Sequence, residues 1–245
     1  MTTTRTEAVT AEDGGEFAGH VAIPDAASGP GLLLLQEIFG VNDYIKGRAE
    51  TLAERGYVVL APDLYWRVEP GIALPHDQGG LQQGLAYMQQ LDRAQAVHDA
   101  GAALDHLRRL PQVSARVGVM GFCLGGMIGY LVAAQYHPDA AVLYYPSGVA
   151  GALDLAEKIT CPTLVHFGDA DSYLPAEQRE AAMRAFESRP NVEVHVHRGA
   201  GHAFDNYLAP MFHHPEAREE AWPQTLAFLD RHLPVSQEAE PPALR

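Results

Sequence analysis

Short runs of apolar residues alternate with longer amphipathic segments along most of the chain. The apolar runs predict strands at 31–35, 57–61, 117–120, 140–145, 163–167 and 192–197. The segments between them predict helices at 44–55, 81–91, 94–110, 124–136, 177–187 and 216–232. Because several of these strands are continuously apolar, we expect them to be buried on both faces of a parallel sheet. The pattern therefore predicts a doubly wound, mostly parallel α/β sheet flanked by helices.

Three segments lie outside this alternation. Residues 17–23 predict an edge strand of an opening hairpin. Residues 65–80 contain Pro70, Pro75 and two adjacent glycines, and they predict an irregular loop that overhangs a site and shapes its specificity. We assign one domain to residues 1–233 and a mobile tail, rich in Glu, Pro and Ala, to residues 234–245.

Composition excludes several classes of partner. The chain has 245 residues and a net charge of −14, from 17 Lys and Arg against 31 Asp and Glu. This balance argues against binding to nucleic acid or to an anionic membrane surface. No apolar run approaches the ~20 residues of a membrane helix, and the polar N-terminus lacks a signal-peptide pattern. We therefore expect a cytoplasmic protein that binds a small molecule.

One of the two cysteines lies in a Gly-x-Cys-x-Gly motif at residues 121–125. An apolar run precedes the motif and a helix-like segment follows it, which is the pattern of a nucleophile elbow with Cys in the usual Ser position. Gly121 and Gly125 would let the strand and the helix approach closely, and a helix N-terminus favours a thiolate or an oxyanion. Cys123 is thus a candidate nucleophile. The alternative, a small buried hydrophobic residue, is how we interpret Cys161.

Candidates for a base and its orienting carboxylate follow later strands, in the order nucleophile, acid, histidine. Asp171 comes just after the fifth predicted strand, at a carboxyl edge where open α/β sheets gather functional groups. Asp169 competes for this role, and we interpret it instead as a turn residue that bonds its own backbone. His202 follows the sixth strand in a glycine-containing loop that can place its ring freely. These residues predict a Cys123–His202–Asp171 triad.

Other histidines among the 12 in the chain need a separate interpretation. His195 and His197 alternate along a predicted strand, and we interpret them as scaffold. His213 and His214 are adjacent, but no cluster of Cys or carboxylates with ligand spacing accompanies them. We therefore predict no metal site and no cofactor.

Glu37 follows the first predicted strand, again at a carboxyl edge. One interpretation is a carboxylate that faces the thiol, with the amides of Ile38 and Leu124 forming an oxyanion hole. The alternative is a solvated loop acid, or one near the N-terminus of the following helix.

Five motifs together resemble one family. They lie at residues 36–40 (Gln-Glu-Ile-Phe-Gly), 61–65 (Ala-Pro-Asp-Leu-Tyr), 121–126 (Gly-Phe-Cys-Leu-Gly-Gly), 168–171 (Gly-Asp-Ala-Asp, with Pro175) and 201–204 (Gly-His-Ala-Phe). In this order they are similar to the dienelactone hydrolase (carboxymethylenebutenolidase) family. The resemblance implies an α/β-hydrolase fold. It also implies Cys123 as nucleophile, His202 as base, Asp171 as orienting group and Glu37 as a carboxylate that helps to activate the thiol.

The chain departs from that family where chlorocatechol-pathway members hold a substrate carboxylate with two arginines. The corresponding positions here are Leu81 and Asn206. Arg67 is the nearby cation that would substitute, and we expect Arg67, Asn206, Phe204 and Tyr207, together with Gly40 and Tyr65, to contribute to the substrate pocket.

The sequence therefore predicts a hydrolase of lactones or small carboxylic esters that acts through a thioester acyl-enzyme. A second hypothesis is a binding or regulatory protein on an inactive hydrolase fold. A third is thiol redox sensing through Cys123, which the lack of a nearby resolving Cys disfavours.

Overall fold

Eight strands form one mixed sheet in the computed structural model, which describes residues 2–235. The strands are β1 (Thr3–Thr10), β2 (Glu16–Ile23), β3 (Gly29–Leu35), β4 (Val58–Pro62), β5 (Val113–Phe122), β6 (Ala141–Tyr144), β7 (Thr163–Gly168) and β8 (Val192–His197). Their order across the sheet is β1-β2-β4-β3-β5-β6-β7-β8. β3 to β8 are parallel, whereas β1 and β2 are antiparallel to their neighbours. The mostly parallel sheet predicted from the apolar runs is confirmed.

Within the described residues, six α-helices cover the sheet on both faces. They are α1 (Asp43–Glu54), α2 (Gln78–Gln90), α3 (Arg93–Arg109), α4 (Leu124–Tyr136), α5 (Ala176–Glu187) and α6 (Pro215–His232). α1 connects β3 to β4, and α4 connects β5 to β6 in the opposite direction across the sheet. Because both crossovers are right-handed, α1 and α4 lie on opposite faces of the sheet. α3 packs beside α4, and α1 packs beside α6 through Arg48, which lies over Trp222. The predicted doubly wound arrangement is therefore present.

The chain reverses its direction of winding between β3 and β5, which are neighbours in the sheet. In open α/β sheets such a switch point leaves a crevice beyond the carboxyl ends of the two strands. All seven residues of β3 are buried, so this crevice opens above a rigid core. Glu37 follows β3 and Cys123 follows β5 directly, and the fold thus brings two of the predicted site residues to one place.

Three expectations need correction. β2 is not an edge strand, because it lies between β1 and β4. The edge strand is β1, which lies in a segment that we interpreted only as a polar N-terminus. The irregular segment 65–80 is shorter than expected, since α2 begins at Gln78 after the Asp77 carboxylate accepts a hydrogen bond from the Gly80 amide. Val235, which we assigned to the tail 234–245, packs against the core. Residues 236–245 lie outside the described residues.

Candidate active site

Cys123 occupies a strained turn between β5 and α4. Its φ is 53° and its ψ is −112°, a conformation that a residue with a Cβ rarely adopts. A Cβ on Gly121 would overlap the carbonyl of Gly125, and a Cβ on Gly125 would overlap the carbonyl of Leu35. The expectation that these two glycines let strand and helix close on each other is confirmed. The backbone amide of Cys123 is tied to the Tyr144 carbonyl at 3.1 Å, which fixes the turn.

His202 and Asp171 meet at the carboxyl ends of β8 and β7. His202 Nδ1 lies 2.8 Å from Asp171 Oδ2, and both side chains are buried. The other oxygen of Asp171 accepts hydrogen bonds from the backbone amides of Tyr173 at 2.8 Å and Leu174 at 3.2 Å. The carboxylate is therefore held in place by its own turn. It fixes the His202 tautomer with the proton on Nδ1, which leaves Nε2 facing the cavity.

We expected the Asp169 side chain to hydrogen-bond to the backbone of its own turn, but it bonds to a different loop. Its Oδ1 accepts from the Gly199 amide at 2.6 Å, on the loop that carries His202. A Cβ on Gly168 would overlap the Ala200 carbonyl, and the Ala170 amide donates to that same carbonyl at 3.0 Å. Asp169 thus joins the two loops that present the acid and the base, while the Asx turn belongs to Asp171.

The surroundings of His202 favour its charged form. Burial opposes protonation, but a negative charge on Cys123, together with the hydrogen bond to Asp171 and its charge, outweighs burial and raises the pKa of His202 to about 10. A negative charge on the Cys123 side chain therefore favours the protonated form of the His202 imidazole.

Glu37 is a buried acid with neutral hydrogen-bond donors. Its side chain is 2% exposed, so it is not the solvated loop acid of the alternative interpretation. Its oxygens accept from Asn206 Nδ2 at 2.6 Å and from the Tyr145 hydroxyl at 3.4 Å. Among the described residues, its hydrogen bonds do not include one to Cys123, although both line one cavity. Burial outweighs these donors and raises the pKa of Glu37 to about 7.

We expect Glu37→Gln to flatten the pH dependence of stability. The folded protein holds the Glu37 proton up to about pH 7, whereas the unfolded chain releases it near 4.5. The wild type therefore loses stability as pH rises through this window, by an amount on the order of 3 kcal/mol. The variant has no such proton to lose. Denaturant unfolding at pH 4.5, 6 and 8 measures the difference.

The exposed acid Glu54 supplies the control for that measurement. Glu54→Gln is expected to follow the wild-type pH dependence. If Glu37→Gln follows it too, Glu37 is ionised throughout the window and burial has not shifted its pKa.

Asn206 is held so that its amide reaches Glu37. The preceding residue, Asp205, is fully buried and paired with Arg48. The amide of Asn206 also contacts His76 Nε2 at 3.0 Å, and a second amide, that of Asn42, contacts the same nitrogen at 3.1 Å. Two amide donors on one ring nitrogen require it to be an unprotonated acceptor, and burial lowers the pKa of His76 accordingly. The Asn206 side chain therefore contacts Glu37 and does not line the cavity. We had expected it to contribute to the substrate pocket.

Within residues 2–235, the amides of the two predicted oxyanion donors, Ile38 and Leu124, have no hydrogen-bond acceptor in the backbone. Leu124 is the first residue of α4, where the helix provides no acceptor for its N–H. Within residues 2–235, the Ile38 N–H donates to no backbone oxygen. The Gly125 amide is taken up by the Gln36 carbonyl at 2.9 Å, which holds the Gln36–Ile38 turn against the start of α4.

A mostly apolar cavity of about 110 Å³ opens onto Cys123. It is lined by Glu37, Ile38, Phe39, Leu81, Leu85, Met88, Cys123, Ser147, Tyr173, His202, Ala203 and Phe212. Engineered cavities of roughly 150 Å³ hold a benzene molecule, so this one suits a group of about that size or smaller.

Several predicted pocket residues lie elsewhere. Phe204 is fully buried behind the site against Tyr145. Tyr207 is on the surface, packed on Tyr44 and Arg48. Gly40 is paired with Ala73, and the Tyr65 hydroxyl donates to the Ile38 carbonyl at 3.2 Å. These residues support the site without lining the cavity.

Arg67 is also directed away from the cavity. Its guanidinium forms two 2.8 Å hydrogen bonds with Asp99 on α3, and it forms an ion pair with Asp13 at 2.7 Å. It also lies over the Trp66 ring. Since the Arg67 guanidinium is already paired with two carboxylates, it does not replace the two family arginines that bind a substrate carboxylate.

Two parts of the site were missed in the sequence. Leu81, Leu85 and Met88 form one wall of the cavity from α2. The sequence predicted only a helix for this segment, with Leu81 at the position of a family arginine, although the i, i+4, i+7 spacing places all three side chains on one helix face. Ser147 follows β6, and its Oγ lies 3.4 Å from His202 Nε2. The rule that functional groups gather at the carboxyl ends of parallel strands would have selected it.

The comparisons with known proteins agree with this geometry. Residues 17–233 match the model of the dienelactone hydrolase family. The chain is 35% identical over 228 residues to the carboxymethylenebutenolidase of Pseudomonas sp. strain P51, covering 93% of this chain and 95% of that protein. The chain belongs to the dienelactone hydrolase family. It is therefore a hydrolase that acts on esters or lactones.

Two further relatives extend the comparison. The carboxymethylenebutenolidase of Pseudomonas putida is 37% identical over 193 residues, covering 78% of this chain and 82% of that protein. The crystal structure of a dienelactone hydrolase-like promiscuous phosphotriesterase from metagenomic libraries matches with a TM-score of 0.81 at 26% identity. It covers 96% of this chain and 99% of that chain. The family's α/β-hydrolase fold is thus the fold observed here.

The part of the chain that the structure describes contains neither a cluster of metal ligands nor a membrane-spanning helix. Within residues 2–235, no three His, Cys, Asp or Glu side chains gather as a possible metal site. His214 instead caps α6, where its Nδ1 accepts from the Ala217 amide at 3.3 Å. In the same range, no helix is both long and apolar enough to span a membrane.

Proposed function

We propose that this hydrolase cleaves lactones or small carboxylic esters through a Cys123–His202–Asp171 triad and a thioester acyl-enzyme. The Cys123 thiolate attacks the substrate carbonyl, and the oxyanion accepts hydrogen bonds from the Ile38 and Leu124 amides. The imidazolium of His202 then protonates the leaving alkoxide. The neutral ring takes a proton from water, which attacks the thioester and releases the acid and the thiolate.

One observation carries this proposal. A cysteine with a φ of 53° stands at the topological switch point, beside a buried histidine whose Nδ1 lies 2.8 Å from Asp171. A strained nucleophile and a base oriented by a third group form the arrangement that covalent acyl transfer requires. Glu37 takes the supporting role of a buried acid beside the thiol, and the cytoplasm remains our expected location.

Active-site titration with an activated aryl ester tests the proposal. The enzyme is expected to release a burst of the leaving group equal to the number of Cys123 thiols, followed by slower turnover. A protein that binds esters without cleaving them, our alternative hypothesis, would show neither phase. A burst that persists after selective alkylation of Cys123 would contradict the assignment of the nucleophile.

The cavity favours uncharged substrates. Leu81, Leu85, Met88 and Phe212 place hydrocarbon around the entrance to Cys123, and the net charge of −14 repels anions at long range. Family members of the chlorocatechol pathway clamp a substrate carboxylate with two arginines that this chain lacks. We therefore extend the proposal to neutral esters and lactones whose acyl group is small and apolar.

We predict that a neutral aryl ester has a kcat/KM about a hundredfold or more above that of a carboxylated dienelactone of similar size. Two missing charge-assisted hydrogen bonds, at ~1.5–3 kcal/mol each, account for a ratio of this order. Leu81→Arg is expected to raise the dienelactone rate about tenfold, while Leu81→Met is not. Arg67→Ala is expected to leave the ratio unchanged, because Asp99 and Asp13 hold that cation outside the cavity. A wild-type preference for the dienelactone would contradict the prediction.

A further inference from the structure

Ser147 lies between the proposed nucleophile and the proposed base. Its Oγ is 3.8 Å from Cys123 Sγ and 3.4 Å from His202 Nε2, and the side chain lines the catalytic cavity. A hydroxyl group has one proton to donate and two lone pairs that accept. The Ser147 hydroxyl is therefore able to contact the thiol and the imidazole at once.

The loop that carries Ser147 is held firmly at both ends. Tyr145 has a φ of 37° and Gly148 a φ of 85°, so the chain turns sharply on either side of the serine. Pro146 packs against the first turn of α4, where a Cβ on Gly126 would come within 3.1 Å of it. These contacts fix the backbone from which the Ser147 hydroxyl group reaches the cavity.

The protonation of His202 decides in which direction these hydrogen bonds point. Because Nδ1 is bonded to Asp171 at 2.8 Å, Nε2 of the neutral ring carries no proton and accepts from the Ser147 hydroxyl. In the imidazolium, Nε2–H donates to Ser147 Oγ, and the serine hydrogen is free to turn toward the Cys123 thiolate. Both protonation states thus leave the three groups paired.

We propose that Ser147 relays the proton between Cys123 and His202, a role that rests on the proposed function of those two residues. The thiol proton moves to Ser147 Oγ while the hydroxyl proton of Ser147 moves to His202 Nε2. The S–H bond and one O–H bond break, and a new O–H bond and an N–H bond form. The products are a thiolate and an imidazolium, and Ser147 is again a neutral hydroxyl.

A direct consequence is that Ser147 sets the pH range over which the thiolate exists. In the ion pair the hydroxyl stabilises both charges, as an acceptor from the imidazolium and as a donor to the thiolate. Without it, the thiol holds its proton to a higher pH. The reaction of Cys123 with iodoacetamide reports the thiolate directly and requires no ester hydrolysis.

The test compares iodoacetamide alkylation from pH 4 to 10 in the wild type and in Ser147→Ala, Ser147→Thr, Ser147→Val and His202→Ala. Peptide mass mapping separates Cys123 from the buried Cys161. Ser147→Thr and Ser147→Val have nearly the same shape and differ in the hydroxyl, so this pair separates the hydroxyl from packing. Thermal unfolding verifies that each variant is folded.

We expect the alkylation midpoint of Ser147→Ala and of Ser147→Val to rise by about one pH unit, with a reaction about tenfold slower at pH values well below the wild-type midpoint. Ser147→Thr is expected to stay close to the wild type, and its acylation rate constant to exceed that of Ser147→Val by a similar factor. Equal profiles for the Thr and Val variants would overturn the relay while the Cys123–His202 pair stands. If His202→Ala also keeps the wild-type midpoint, that pair and the proposed function fail as well.

Discussion

Cys123→Ala is expected to abolish ester turnover, by at least about a thousandfold, while the fold is retained. The thiolate sulfur is the atom that forms the acyl bond, and the alanine variant has no other atom in its place. The backbone strain at this position is unchanged, because alanine and cysteine both carry a Cβ at a φ of 53°. The loss of one buried sulfur is expected to lower the free energy of unfolding by only about 1 kcal/mol.

Steady-state hydrolysis of a neutral aryl ester, together with thermal unfolding, measures both parts of this prediction. Turnover above a few per cent of the wild type in a folded Cys123→Ala protein would remove Cys123 from the mechanism. Cys123→Ser is the matched control, since it replaces only the sulfur atom and keeps a nucleophilic group at the same position. It is expected to be far weaker than the wild type, because a hydroxyl is much less acidic than a thiol and depends more on its base.

The strands in the core of the sheet could be predicted from the sequence, because buried strands consist of continuous apolar runs. The strands of the parallel core are continuously apolar, as in β3, where all seven residues are buried. β1 was missed because most of its residues are exposed or half-exposed, and its buried position, Val9, does not stand out in a polar segment. β1 is stabilised by its pairing with β2 along its whole length, and the local pattern of apolar and polar residues does not indicate such pairing.

The candidate triad was also predictable, because each member follows a parallel strand and lies beside glycines that allow close approach. The pocket was not. Arg67 looked available in the sequence, but its position is decided by Asp99, on a helix 32 residues later. Asn206 is turned toward Glu37 by the buried pair of Asp205 with Arg48. Contacts of this kind depend on tertiary packing, so no spacing rule in the chain would have revealed them.

Glu37 illustrates how packing also changes a chemical role. The resemblance implied a carboxylate that activates the thiol, but its hydrogen bonds connect it to Asn206 and Tyr145. With burial raising the pKa of Glu37 to about 7, the group is protonated in a substantial fraction of molecules at neutral pH. A second base for the thiol is thus only partly available, and the mechanism that we propose therefore depends mainly on His202.

His202→Ala is expected to lower kcat by about a thousandfold and to change the slow step to deacylation. A positioned general base contributes typically 10²–10⁴-fold. Glu37 also lines the cavity, but its carboxyl group is held by Asn206 and Tyr145 and does not replace the imidazole as the base for water. The Cys123 thiol still ionises as the pH rises, and thiolates are strong nucleophiles without assistance. Acylation therefore recovers at alkaline pH, whereas hydrolysis of the thioester does not.

The decisive measurement for His202→Ala is intact-protein mass spectrometry during turnover of a neutral aryl ester at pH 9. A protein population heavier by one acyl group is expected to accumulate, and the adduct is expected to be lost when Cys123→Ala is added to the same background. Asp171→Asn is the matched control. It keeps the imidazole but weakens the bond that holds its Nδ1 proton at 2.8 Å, so deacylation should fall less than in His202→Ala. If no adduct accumulates and acylation and deacylation fall together, His202 serves both steps equally and thiol ionisation alone does not sustain the first.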